Sequence, residues 1–217
     1  MLALWRCTGQ IGNCWFVAIV ASLADSHPYL ILEAFRDPAT GEVQEQCEGG
    51  LCSVRLYDYT SGSFVYVLID DLIPVLGNRD GTWPIFMSDG NGSTPLEIWP
   101  MLLEKAFAKL CGSYAFLGSG RHTSPNGERI SAHAIDESMV VKLLTGGDVV
   151  VRRRSSSPTR RHWRDADELA IVLADSPQKT KIRTCGTGGI HEKVEGVIGG
   201  HTYSVVYYFR DTDPDNL

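Results

Sequence analysis

Two residues in this sequence, a cysteine and a histidine, could together do nucleophilic chemistry. Cys14 stands at the head of an apolar run, CWFVAIVASL, directly after Gly12 and Asn13. His201 follows the pair Gly199-Gly200 and precedes the apolar segment TYSVVYYF. A thiol at a helix N-terminus faces the positive end of the helix dipole and unpaired backbone N–H groups. Both favour the thiolate, which is the nucleophilic form. Such a nucleophile needs a base beside it that later returns the proton, ordinarily a histidine. Taken alone, Cys14 reads more simply as a buried helical cysteine, because free cysteine is among the most buried residue types. His201 is better placed than the other histidines. A side chain at the mouth of a strand can face a cleft, whereas His27, His122, His133, His162 and His191 lie in loops or beside polar clusters.

These two residues need elements to position them. The run from Cys14 to Leu23 lacks proline and glycine and is apolar all round, so it predicts a buried helix ending before His27-Pro28. Gly12 and Asn13 supply a turn and a cap at its start. A second helix is predicted over Leu96–Leu110, where Trp99, Leu102, Leu103, Ala106, Phe107 and Leu110 recur at three- and four-residue spacing. Pro100 falls in its first turn and Gly112 follows its end. Between the helices, Leu51–Tyr59 and Phe64–Asp70 alternate in the manner of strands and are separated by Thr60-Ser61-Gly62, a hairpin signature. Residues 78–94, rich in Gly, Asp, Asn and Ser, read as loop. Beyond a loop-like stretch at 118–133 come strands predicted over 148–151, 181–185 and 202–209 and a short helix over 167–174. Helix concentrates in the first half and strand in the second, which argues for an α+β protein. The expected division is a helical lobe over 1–117, a linker over 118–133 and a β-rich lobe over 134–217. No internal repeat is present.

The motifs resemble those of a known family. G-x-x-G-N-C-W-F followed by ASL resembles the active-site cysteine helix of calpain-type cysteine proteases and, more distantly, that of papain. Three further stretches agree in order: VLIDD at 67–71 with Pro74, LLEKAFAKLCGSY beginning at Leu102, and GHTYSV at 200–205. The resemblance runs over most of residues 8–209. It implies a papain-like cysteine protease fold, with a helical N-terminal lobe and an antiparallel β C-terminal lobe flanking a cleft. It also implies Cys14 as nucleophile and His201 as base and acid, acting on protein substrates. Calcium is the cofactor the resemblance brings, although no metal site is assignable in this sequence.

Three departures from the family pattern stand out. The family carries a glutamine six positions before the cysteine as an oxyanion donor, and here that position is Thr8. Gln10 is two residues out of register. The family's orienting asparagine lies in an Asn-Pro-Trp motif some tens of residues after the histidine. Asn216 is followed by Leu217 instead, so it does not take that role. Residues 1–13 hold no Asp or Glu for the upstream part of a calcium site. The expectation is a fragment or divergent member, incomplete at both ends. It is either a cysteine endopeptidase region or a catalytically inactive scaffold or regulatory protein.

Composition fits a soluble globular chain: 217 residues, 43% hydrophobic and 21% charged. A formal net charge of −6 argues against a protein that coats nucleic acid. No apolar run reaches membrane-spanning length, and MLALWRC is too short for a signal peptide. A cytoplasmic location is therefore expected. The six cysteines, at 7, 14, 47, 52, 111 and 185, are scattered and read as reduced thiols. Cys47 and Cys52 have no companion pair at zinc-site spacing and read as small strand or loop residues. The segment RRRSSSPTRRHWR at 152–164 places six arginines together with no acid. It reads as a solvated loop, or more sharply as a phosphorylatable or acid-docking one.

Overall fold

The computed structural model describes residues 11–44, 47, 49–78, 81–85, 87, 97–118, 122–123, 129–130, 137–147, 184–186 and 202–204. Helix α1 spans Cys14–Ser26 and is buried through Phe16, Ala18, Ile19, Val20, Ser22, Leu23 and Ala24. It ends where the Ser26 hydroxyl donates to the Ser22 carbonyl and the His27 N–H to the Leu23 carbonyl. Pro28 then opens a second helix, α2 (Pro28–Ala34), from its first turn, where a missing N–H costs nothing. The sequence reading stopped at the proline and missed α2. The axes of α1 and α2 differ by 111°, and no single described helix is long and apolar enough to cross a membrane.

The expected hairpin is present. Strands β1 (Leu51–Asp58) and β2 (Ser63–Asp70) pair antiparallel, with Val54 opposite Val67 and Cys52 opposite Ile69. Period-two alternation sends Cys52, Val54, Leu56, Val67 and Ile69 inward. Asp58 closes the turn: its carboxylate accepts the N–H groups of Thr60 and Ser61, which hold its pKa below the usual carboxylate range. The Gln44 side-chain amide bonds both the carbonyl and the N–H of Ser53, covering the outer edge of β1. Lys105 and Lys109 donate to the carbonyls of Asp70, Leu72 and Leu68 along β2 and just beyond it.

Two expectations are corrected nearby. Cys47 and Cys52 are joined as a disulfide, not left as free thiols. Gly49 and Gly50 take φ of 58° and 79°, a left-handed turn that folds the chain back until the two Cα atoms stand 4.7 Å apart. Residues 78–94 are not loop throughout. Strand β4 (Gly81–Pro84) pairs antiparallel with β3 (Val75–Asn78), so the glycine and asparagine there mark the corners of a short hairpin.

Helix α3 (Trp99–Leu110) lies within the predicted range, with Pro100 in its first turn, and a short α4 (Tyr114–Leu117) follows. The Ser113 side chain caps α4 by accepting the Phe116 N–H. Two-residue strands β5 (His122–Thr123) and β6 (Arg129–Ile130) pair with each other. Helix α5 (Glu137–Thr145) was not expected, yet Val140, Leu143 and Leu144 are buried at helical spacing. Strand β7 (Thr184–Gly186) pairs with β8 (Thr202–Ser204). The longest described strands thus precede residue 118 and a helix follows residue 134, so helix and strand mix in both stretches. The strand expected at 148–151, the arginine-rich segment 152–164 and the helix expected at 167–174 lie outside the described residues, as do positions 205–209 of the last strand.

One core joins these elements. α1 packs against α2, α5, β7 and β8, while the β1–β2 hairpin packs against α2, α3 and α5. Phe16 of α1 stacks on Phe107 of α3, with ring centroids 5.1 Å apart.

Candidate active site

Gly12, with φ of 71°, turns the chain into α1, a left-handed conformation that a side chain would oppose. Cys14 opens the helix as a free, partly exposed thiol. The Asn13 carbonyl accepts the N–H groups of Phe16 and Val17 at 2.9 and 3.1 Å and so starts the helix. The Asn13 side chain does not cap it, contrary to the sequence reading. It turns away from its own helix and donates to Glu104 of α3. The amides of Phe16 and Val17 are thus taken by the Asn13 carbonyl, and the Asn13 side chain caps none of the first turn.

Glu104 and Asn13 are both fully buried. One Glu104 oxygen accepts the Asn13 amide, and the other accepts the Met87 N–H at 3.0 Å. Burial raises the Glu104 pKa to about 7, against the pull of those two donors, which favour the charged form. Sequence reasoning missed Glu104, although a signal existed. With Pro100, Leu103 and Phe107 it shares one stripe of α3, and a carboxylate on an apolar stripe calls for a partner.

The residue after Cys14 is held as well. The Trp15 indole N–H donates to the Leu117 carbonyl at 3.2 Å, and its ring meets Phe107 edge-on at 6.1 Å. Gly118 passes so close that a Cβ there would lie 2.7 Å from the Ile11 carbonyl oxygen. Cys111 lies at the end of α3, where burial pushes its thiol up to about 12.

His201, Thr8, Gln10 and Asn216 lie outside the described residues. The strand that starts at Thr202, next to His201, packs on α1. The Ser204 hydroxyl donates to the Ala18 carbonyl at 2.7 Å. Ala18 is one helical turn from Cys14 on the same side of α1. Among the described residues, no three His, Cys, Asp or Glu side chains converge in a group able to hold a metal ion.

Comparison with known proteins points the same way. The family model described as calpain family cysteine protease matches residues 5–212. A protein named calpain from Schistosoma mansoni is 30% identical over 200 residues, covering 91% of this chain and 22% of the relative. Calpain-5 from Caenorhabditis elegans is 30% identical over 91% of the chain and 28% of its own length. Human calpain-12 is 29% identical over 92% of the chain and 23% of its own length. The chain thus spans about a quarter of these relatives.

Proposed function

Because the chain belongs to the calpain family of cysteine proteases, with the papain-like α+β fold of that family, we propose that it is the catalytic region of a cysteine endopeptidase in which Cys14 is the nucleophile and His201 its base and acid. The observation that carries this reading is the free, partly exposed Cys14 at the start of α1. Supporting it, the strand beginning one residue after His201 packs on the same helix. The two lobes, over 1–117 and 134–217 with 118–133 between them, and the cleft they flank belong to the same proposal.

In this reading His201 takes the Cys14 proton, and Sγ attacks the carbonyl carbon of a peptide bond. The carbonyl π electrons move onto oxygen, and the backbone N–H of Cys14 stabilises that oxyanion. As the oxyanion collapses, the C–N bond breaks and His201 protonates the leaving amine. A thioester remains on Cys14. Water, deprotonated by His201, then attacks the thioester carbonyl, the C–S bond breaks and the thiol is restored. The substrates are proteins, cut at a few accessible sites. Calcium regulation is carried by family membership alone.

A second reading, an inactive calpain-like scaffold, is favoured by Thr8 at the position where the family has its oxyanion-donating glutamine. Loss of one such donor costs about 10²–10³ in rate. A casein or fluorogenic-peptide assay of the wild type, Cys14→Ala and His201→Ala, with and without calcium, separates the two. Turnover abolished by both substitutions supports the protease. Binding of protein partners without turnover supports the scaffold.

A further inference from the structure

We propose that Glu104 is a positioning residue for Cys14, acting through Asn13. The proposal rests on the reading of Cys14 as nucleophile.

Four observations carry it. Asn13 immediately precedes Cys14 and is fully buried, and its carbonyl receives the first two hydrogen bonds of α1. Any movement of Asn13 therefore moves the turn that presents the Cys14 thiol and N–H. The Asn13 Nδ2 bond to Glu104 anchors this side chain, since Asn13 Oδ1 is buried and has no hydrogen-bond partner among the described residues. The second Glu104 oxygen holds the Met87 N–H, so one carboxylate ties the start of α1, the segment at 87 and the middle of α3 together. On the far side of Cys14, Trp15 is fixed to Leu117 and Phe107. The thiol thus stands between two neighbours that are both anchored on the α3–α4 region.

A buried carboxylate is a costly way to fill a core position, because an apolar side chain would fill the same stripe without desolvating a polar group. What Glu104 provides that a leucine cannot is a pair of acceptors at fixed places. A glutamine can keep both links. Its oxygen would accept the Met87 N–H, and its amide would donate to Asn13 Oδ1 once the asparagine amide turns over.

The test compares wild type, Glu104→Gln, Glu104→Leu and Asn13→Ala, each checked for folding by circular dichroism. Two quantities are read: the rate of iodoacetamide labelling at Cys14 by mass spectrometry, and hydrogen exchange at the Phe16 and Val17 amides. Glu104→Gln should label within about threefold of wild type, whereas Glu104→Leu and Asn13→Ala should label about tenfold more slowly. Cys111 should label alike in all four proteins. Exchange at Phe16 and Val17 should quicken in Glu104→Leu and Asn13→Ala only. Wild-type rates and exchange in folded Glu104→Leu or in Asn13→Ala would overturn the proposal. So would a Glu104→Gln protein as slow as Glu104→Leu. If wild-type Cys14 labels no faster than Cys111, the nucleophile reading fails instead, and the exchange data alone decide whether Glu104 fixes the helix start.

Discussion

The side-chain amide of Asn13 donates to the carboxylate of Glu104, 91 residues further along the chain, and both residues are fully buried. The start of the helix that carries Cys14 is thereby fastened to the second long helix by a polar contact inside an apolar core. Such a contact is sensitive to protonation.

Glu104 should make stability fall as pH rises from about 4.5 to about 7. Its folded pKa is raised from 4.5 to about 7, so the folded state binds the proton more tightly than the unfolded state across that window. The stabilisation is full below 4.5 and lost as pH passes 7, and it amounts to roughly 3 kcal/mol. Asp58 and Asp37, whose pKa values are lowered, act in the opposite direction at more acidic pH. The quantity to read is therefore the difference between wild type and Glu104→Gln in urea denaturation at pH 4.5, 6 and 8. Glu104→Gln should gain on wild type at each step upward in pH. A constant difference would contradict the assignment.

Gly118→Ala should destabilise the protein although the backbone there suits any residue, with φ of −71°. The added methyl would sit 2.7 Å from the Ile11 carbonyl oxygen, backbone that leads through Gly12 to Cys14. Overpacking of this kind costs about 1–3 kcal/mol. Thermal denaturation checks the stability, and a melting temperature equal to wild type would show that the two segments separate freely.

The Cys47–Cys52 disulfide should protect both thiols from iodoacetamide until a reductant is added, while Cys14 labels without one. The bond closes a short loop, so its removal in a Cys47→Ser/Cys52→Ser protein should cost about 2 kcal/mol at most. Peptide mapping under non-reducing conditions reads the first outcome and urea denaturation the second. Labelling of Cys47 before reduction would refute the bridge.

Elements with strong periodicity were legible from the sequence. α1, α3 and the β1–β2 hairpin follow from apolar spacing, a proline in a first turn and the Thr60-Ser61-Gly62 turn. What escaped was decided either by a tight local turn or by contacts between distant segments. The Cys47–Cys52 pair looks ordinary as C-x4-C until Gly49 and Gly50 fold back on themselves. Helix α5 contains two adjacent valines that suit a strand equally well, and packing of Val140 and Leu143 in the core settles the matter. Asparagine favours the position before a helix, so the local signal at Asn13 is a cap. A buried carboxylate across the core competes for its amide and wins. For the site, Cys14 was legible by type and setting, whereas its support by Glu104 was not, because nothing local connects residues 13 and 104.

The most direct test of the catalytic reading is the rate at which iodoacetamide or a thiol-directed epoxide labels Cys14 relative to Cys111 at pH 7, in wild type and in His201→Ala. Burial pushes the Cys111 thiol up to about 12, so it should stay almost unreactive. Cys14, at a helix start beside its proposed base, should label at least about tenfold faster, and His201→Ala should remove most of that advantage. Equal labelling of the two cysteines, unchanged by His201→Ala, would contradict the Cys14–His201 pair.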